Sequence, residues 1–461
     1  MDKYDLVVLG SGPAGQAAAI RAAANGLRVA VVEKNMDSFG GVCVNEGCIP
    51  AKSLIHSSRV FSDSLREEGL FRGGLSGPSP DMEYLVKKSL SATNELKKGL
   101  EYIFKKNGIE IVTGRGRVSG PGSVTVNGPD NGEFEVEGNR LLIATGSSPR
   151  DLPGVPFDGR YVISSSEAVR MTSLPDKVLI VGSGAIGIEF ASHFRSLGAE
   201  VTVLEAEDRI LPFADRDISA RLASVLKKKG VKIHVSSSVE NVETGSGKVV
   251  ATCRFKGGEE SLSFDRVLVC IGRTPNTSDI GLEKAGITTD DKGYITVDDN
   301  MLADGDSVYA AGDVIPGPML AHCASSEGEI VADHASGNPT SPIDYSCVPN
   351  VVYSHVEYAG VGLTEEECSK RGMDFRAGKS FFKANGRAVA NNEKDGFIKV
   401  ISDAGGNEIL GAHILCSCAS EIIHEFVLAK RTGLSARDIA DSVHAHPTFS
   451  ESSINACWTV A

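Results

Sequence analysis

The sequence predicts an α/β protein in which one strand–turn–helix–strand unit occurs twice and a separate α+β segment follows. Three observations carry this expectation. The first is a pair of glycine-rich turns, Gly10-Ser11-Gly12-Pro13-Ala14-Gly15 and Gly182-Ser183-Gly184-Ala185-Ile186-Gly187, each entered from a short continuous apolar run. The second is their spacing: from first glycine to the acid that closes the next apolar run is 23 residues in both copies (10 to 33, 182 to 205). The third is a change of pattern from about Asp344, where short alternating segments replace the long apolar runs.

Composition bounds the rest. A chain of 461 residues is long enough for about three domains. With 41% hydrophobic and 23% charged residues it reads as globular. A net charge of −13 argues against nucleic acid or an anionic membrane surface as partner. No apolar run approaches the 18 or so residues a membrane helix needs. The N-terminus, M-D-K-Y-D-L-V-V-L-G, enters a strand at once and leaves no room for a leader, so a cytoplasmic location is expected. In that reducing compartment a disulfide among the ten cysteines is more often catalytic than structural.

Taken in order, Leu6 to Leu9 is the run of a buried parallel strand, the turn at 10–15 leads an Ala-rich helix to Asn25-Gly26, and Val29 to Val32 ends in Glu33. The glycines permit a tight turn and close approach of a pyrophosphate to backbone. The helix N-terminus faces the phosphates, and the terminal acid reaches a ribose hydroxyl. This is the Rossmann-like pattern of dinucleotide binding. Val178 to Val181, the turn at 182–187, the helix to Leu197 and Val201 to Leu204 with Glu205 repeat it, so two dinucleotide sites are expected.

Between the two copies lies Phe39 to Ser53, F-G-G-V-C-V-N-E-G-C-I-P-A-K-S. Cys43 and Cys48 are five positions apart, roughly 8 Å or more in a regular helix. A disulfide wants less than about 7 Å, so a bridge here needs a distorted turn, which Gly47 and Pro50 favour. So short a loop gains little from chain entropy. Redox work is the better reason for a bridge, beside the alternatives of two buried core thiols or half of a metal site lacking its second pair. Further on, Leu141 to Gly146 is a strand and turn, and three prolines between Pro149 and Pro156 mark a boundary. Residues 265–276 and Val308 to Asp313 are two more strands ending in turns. Val348 to Tyr353 and Gly396 to Ile401 suggest an antiparallel sheet, followed by helices over about 419–431 and 435–442.

These stretches together resemble the pyridine nucleotide–disulfide oxidoreductases, and within them the branch that oxidises dihydrolipoamide. The likeness is carried by G-S-G-P-A-G at 10–15, G-G-V-C-V-N-E-G-C-I-P-A-K at 40–52, A-T-G at 144–146, G-S-G-A-I-G-I-E at 182–189, G-R-T-P-N at 272–276, A-A-G-D at 310–313, M-L-A-H at 319–322 and H-A-H-P-T-F-S-E at 444–451. The resemblance implies an FAD domain over 1–149, an NAD domain over 150–277, a central segment over 278–345 completing the FAD site and a C-terminal dimerisation domain over 346–461. It implies FAD contacts at Gly10, Gly12, Gly15, Glu33, Lys52, Gly116, Asp313 and Ala321, and NAD contacts at Gly182, Gly184, Gly187, Glu205, Val239 and Gly272.

It also implies that Cys43 is the sulfur exchanged with substrate and Cys48 the one against the flavin. Lys52 and Glu189 would form an ion pair beside the flavin, His446 would be the base and Glu451 its orienting carboxylate. A homodimer with a shared site follows, serving the lipoyl domain of a 2-oxoacid dehydrogenase or glycine cleavage complex. Two alternatives are an NAD(P)H-driven disulfide or metal reductase of the same family and an FAD-bound structural docking subunit. No metal site is expected. Val356, Cys323, and the Cys416/Cys418 pair depart from the family pattern, and an accessory thiol at 457 or 416/418 would weaken the lipoamide reading.

Overall fold

The computed structural model describes residues 3–71, 77–128, 132–245, 247–305 and 307–461. The chain divides into two compact units. One comprises Met1–Ser53, Val86–Arg150 and Gly272–Ile343; the other comprises Leu54–Leu85, Asp151–Ile271 and Asp344–Ala461.

The first unit is built on a sheet whose strands run in the order Leu302–Asp304, Val308–Ala310, Glu133–Ile143, Tyr4–Leu9, Val29–Glu33, Glu110–Thr113. Around the central strand all pairing is parallel: Leu6 opposes Val29 and Arg140, and Val8 opposes Val31 and Leu142. Leu6, Val7, Val8 and Leu141 to Ile143 are wholly buried. Both faces of these strands are covered, which is why they read as unbroken apolar runs. The helix Pro13–Ala24 buries Ala14, Ala18 and Ala22 and packs on the helix Ala321–Ala335. That approach depends on Gly328, where an added Cβ would lie 2.2 Å from the Ala14 carbonyl oxygen.

The second unit holds a wholly parallel five-stranded sheet in the order Lys232–His234, Glu200–Leu204, Lys177–Val181, Arg266–Val269, Val162–Ile163. An antiparallel sheet of Ser238–Gly245, Lys248–Phe255 and Gly258–Phe264 packs beside it. The expected C-terminal α+β segment is an antiparallel sheet in the order Asn350–Val352, Glu357–Gly362, Ile409–Cys416, Phe397–Asp403, Phe375–Phe381. The helix Ala419–Thr432 lays Ile422, Ile423 and Phe426 against Ile398, Ala412 and Ile414 of that sheet. The second expected helix is Ala436–Asp441. A third, Glu451–Trp458, is not legible in the sequence because its buried face is Ser452, Ser453, Ala456 and Cys457, small and half polar.

A lysine lies inside this unit. Lys399 is 1% exposed, and its Nζ donates to both carboxylate oxygens of Asp215 at 2.9 Å and to Asp217 at 2.7 Å, with Glu365 at 2.5 Å. Asp215 also caps the helix Arg216–Lys228 by accepting from the Asp217 N–H. The cluster thus ties that helix to the C-terminal sheet. Among the described residues no helix is long and apolar enough to cross a membrane.

Candidate active site

The two glycine-rich turns have one geometry. Gly10 and Gly182 take φ of +108° and +97°, and a Cβ on either would lie 2.3 or 2.5 Å from the carbonyl oxygen of Ala144 or Cys270. Gly15 and Gly187 each approach the carbonyl oxygen of the turn's first glycine, where a Cβ would lie at 2.0 Å. These four are glycine because backbone fills the side-chain space. Gly12 and Gly184 are different: nothing lies within 4 Å of an added Cβ at either. Each is the N-cap of its helix and no side chain completes the cap. The helix N–H groups and their partial positive charge therefore face open space, the cradle a pyrophosphate fits.

The terminal acids are held alike. Glu33 Oε2 accepts from the Ser11 N–H at 3.0 Å and Ser11 Oγ at 2.6 Å; Glu205 Oε2 accepts from Ser183 at 2.8 and 2.5 Å. The other oxygen of each accepts one backbone N–H, from Lys34 and from Glu207. Both carboxylates are buried and aimed across the turn. The serines that aim them are not among the residues singled out from sequence; the repetition of G-S-G is the signal that could have found them. Beyond Glu205, Arg209 donates to Glu366 at 2.7 Å and to the Pro212 carbonyl, so that cation is already engaged.

The remaining expected cofactor residues occupy several settings. Ala321 opens the helix Ala321–Ala335, whose N-cap Leu320 has no side-chain oxygen to offer, so an acceptor on a cofactor fits there. Asp313 Oδ2 accepts from Ser147 Oγ at 2.5 Å, and Arg273 donates to the same hydroxyl and to the Ser147 carbonyl, both at 2.6 Å. Arg273 lies mostly buried, in the field of Asp313, Glu46 and Cys48, a position the G-R-T-P-N motif marks without giving its role. Gly116 faces Leu9, Val32 and Val124 at 2.5–3.0 Å from a would-be Cβ, so strand packing alone already requires a glycine there. Val239 lies on the strand Ser238–Gly245 opposite Cys253, and Gly272 takes φ +115° with open space at its Cβ.

The sulfur pair sits where the sequence asks for a distorted turn. The helix Gly41–Asn45 stops at Glu46, with φ −140°, and a new helix, Cys48–Arg66, starts after Gly47. Gly40 and Gly41 have positive φ, and a Cβ on Gly41 would lie 2.5 Å from Gly12 Cα, which sets the sulfur-bearing helix directly on the first turn. The two cysteines are partly buried thiols hydrogen-bonded to each other. That bond, with burial, pushes the Cys43 thiol up, while Lys52 one turn along pulls it down. Removing the proton of the Cys43 thiol is therefore disfavoured.

His446 and Glu451 belong to the second unit and are paired: His446 Nδ1 and Glu451 Oε1 are 2.8 Å apart. Glu451 Oε2 accepts from the Thr448 N–H at 2.8 Å, and that bond and His446 together hold its carboxyl below the usual range. His446 is 77% exposed, with Nε2 left for another partner. Its neighbour His444 is not equivalent, being held by Glu425 at 2.8 Å and the Ser442 carbonyl at 3.0 Å. Glu189 is buried in the second unit and accepts from the Tyr353 N–H at 3.0 Å.

The departures from the family pattern fall mostly in packing. Cys457 is wholly buried in the C-terminal core, its thiol pushed up to about 12 by burial, so it is no accessory nucleophile. Cys323 is buried and donates to Glu327 at 3.3 Å, and Val356 is a core residue. No group of three or more His, Cys, Asp or Glu among the described residues could hold a metal ion.

Comparison with known proteins agrees with this geometry. Residues 4–328 match the model of the pyridine nucleotide-disulphide oxidoreductases, and residues 348–457 match that family's dimerisation domain. Dihydrolipoyl dehydrogenase 1 of Arabidopsis thaliana mitochondria is 40% identical over 98% of this chain and 89% of its own length. A leghemoglobin reductase of Vigna unguiculata is 39% identical over 98% of this chain and 86% of its own. The crystal structure of LpdA from Mycobacterium tuberculosis superposes with a TM-score of 0.90 at 28% identity, covering 98% of each chain. Family match, paired cradles and the hydrogen-bonded Cys43–Cys48 turn agree: the chain belongs to the pyridine nucleotide-disulphide oxidoreductases, flavoproteins that use FAD and NAD(H).

Proposed function

We propose that this chain oxidises dihydrolipoamide to lipoamide with NAD, as the dihydrolipoyl dehydrogenase component of a 2-oxoacid dehydrogenase or glycine cleavage complex in the cytoplasm. The observation that carries the reading is the Cys43–Cys48 pair, two interacting sulfurs at a helix break directly on the first cradle. Gly10, Gly12, Gly15, Glu33, Lys52, Gly116, Asp313 and Ala321 would hold FAD; Gly182, Gly184, Gly187, Glu205, Val239 and Gly272 would hold NAD. Bound there, FAD would supply a two-electron acceptor for the Cys43–Cys48 dithiol and NAD a hydride acceptor.

The chain's own residues supply the sulfur steps. His446, its Nδ1 fixed by Glu451, takes a proton from one substrate thiol at Nε2. The substrate thiolate attacks Cys43 of the oxidised pair, the sulfur–sulfur bond breaks, and Cys48 leaves as thiolate. The second substrate thiol then closes the lipoamide disulfide, and its proton goes to Cys43 as that sulfur leaves. Lys52 and Glu189 would each balance charge beside the flavin.

The protein acts as a homodimer in which His446 and Glu451 serve the partner's Cys43 and Cys48, a reading supported by the dimerisation-domain match over 348–457. Cys43→Ser and His446→Ala should each be nearly inactive, while the purified mixed dimer regains up to one working site of two. A mixed dimer with no recovered activity would rule out sharing.

Steady-state turnover decides the substrate class. We expect dihydrolipoamide with NAD to turn over and glutathione disulfide with NADPH to be poor. The reverse preference would make the chain an NADPH-driven disulfide reductase of the same family.

A further inference from the structure

The segment Cys416-Ser417-Cys418 takes no part in the chemistry above. Cys416 ends the strand Ile409–Cys416 and is wholly buried, whereas Cys418 is only partly buried and stands as N-cap of the 14-residue helix Ala419–Thr432. The chain turns at Ser417 and Cys418, the latter with φ −140° and ψ 34°. Residues two apart lie about 5.4 Å apart at helical curvature and up to about 7 Å when extended. A disulfide asks for about 4.4–6.8 Å, so the turn is what brings this pair within reach.

Side-chain contacts support the same reading. The two thiols are near enough to act on each other's ionisation. Arg59 donates to the Ser417 carbonyl at 3.3 Å and pairs with Glu393, which accepts from Ser417 Oγ at 2.8 Å. Glu357 accepts from the Ser420 N–H and Oγ at 3.1 and 2.7 Å, so the turn is anchored on both sides. Burial pushes the Cys416 thiol up. The neighbouring Cys416 thiol holds Cys418 below its ordinary value, against burial and the Glu357 and Glu393 carboxylates. The N–H groups heading the helix favour the thiolate in the same sense.

We propose that Cys416 and Cys418 are a second dithiol, which a hydroperoxide oxidises to an intrachain disulfide. The Cys418 thiolate attacks the terminal oxygen of the hydroperoxide. The O–O bond breaks, the alkoxide leaves as alcohol after taking a proton, and Cys418 becomes a sulfenic acid. Cys416 then attacks that sulfur, losing its proton and expelling hydroxide as water. In sum, two thiols and one hydroperoxide give one disulfide, one alcohol and one water. A bond spanning one residue is strained and belongs with the labile, reversible disulfides. A small dithiol reverses it.

The test is a mass measurement on the FAD-loaded full chain, treated with cumene hydroperoxide and then alkylated without reductant. The tryptic peptide Val400–Lys430 carries Cys416 and Cys418 and no other cysteine. We expect this peptide to escape alkylation and to be lighter than its dithiol form by two hydrogen atoms, with dithiothreitol restoring both. In Cys416→Ser, Cys418 should instead be captured by dimedone as the sulfenic acid. The proposal is overturned if both sulfurs stay alkylatable at hydroperoxide levels that oxidise Cys43 and Cys48. It is equally overturned if Cys418 goes on to sulfinic acid in the wild type while Cys416 remains alkylatable. Neither outcome depends on lipoamide turnover.

Discussion

The two glycine-rich units share a turn and differ in what surrounds it. Gly10, Gly12, Gly15 and Glu33 match Gly182, Gly184, Gly187 and Glu205 in backbone, in close approaches and in the serine that aims the acid. Seven residues past the first glycine, however, the first unit has Ala17 and the second Glu189. Around the first turn the chain builds redox apparatus: Gln16 donates to the carbonyls of Ser11 and Gly40, and Gly41 rests on Gly12. The units are also secured differently. The first helix packs on small apolar residues at Gly328, whereas the second unit ties its helix Arg216–Lys228 to a sheet through buried Lys399. A shared loop thus builds the same open cradle twice, and its surroundings set the two apart.

The largest effects should come from the sulfur pair. Cys43→Ser and Cys48→Ser should each abolish dihydrolipoamide oxidation in a steady-state assay while leaving the folded flavoprotein intact. His446→Gln should lower kcat about 10²- to 10⁴-fold, the usual worth of a positioned base. Next come the cradle glycines. Gly12→Ala should yield folded protein depleted of flavin, scored by the ratio of flavin to protein absorbance. Gly184→Ala should keep its flavin and raise KM for NAD. If the two substitutions behave alike, the division of duties between the units is wrong.

A smaller effect should separate NAD from NADP. Glu205, with Glu207 and Asp208 following and Arg209 engaged by Glu366, would repel a 2′-phosphate. Glu205→Ala should raise KM for NAD about ten- to a hundredfold, the worth of a hydrogen bond to a charged group, and should leave flavin content unchanged. Equal efficiency of the wild type with both nucleotides would contradict this.

The contrast in packing predicts a pH signature. Burial alone would raise Asp215 and Asp217, but His413 and Lys399 around the first, and Lys379 and Lys399 around the second, hold both below the usual range. Lys399 is depressed by burial but raised overall by Asp217, Glu365 and Asp215. The carboxylates therefore contribute stability present above about pH 4 and lost as pH falls through their folded values. The lysine's share is complete below about pH 10.4 and lost only as pH rises beyond that. Lys399→Met should cost about 3–5 kcal/mol near neutrality and much less near pH 3, measured by denaturant unfolding.

How much of this was legible varies by residue type. Both turns and the strands beside them could be read because glycine spacing and buried parallel runs leave local marks. The break at Glu46–Gly47 could be read from the sulfur spacing. Lys399 could not: a lysine in Phe397–Asp403 looks like a solvated position, and its partners lie far away in sequence. The helix Glu451–Trp458 was hidden by its small polar face. His446 and His444 look alike in sequence and separate only when Glu425 and Glu451 claim one each.

The central claim is that the first unit joins the sulfurs to the flavin and the second joins the flavin to NAD. Stopped-flow measurement of the two half-reactions tests it most directly. With NADH alone, Cys43→Ser should reduce its flavin at the wild-type rate; with dihydrolipoamide alone, it should not react. Gly184→Ala should show the opposite pattern. Reduction of the Cys43→Ser flavin by dihydrolipoamide, or loss of both half-reactions together in either variant, would contradict the account.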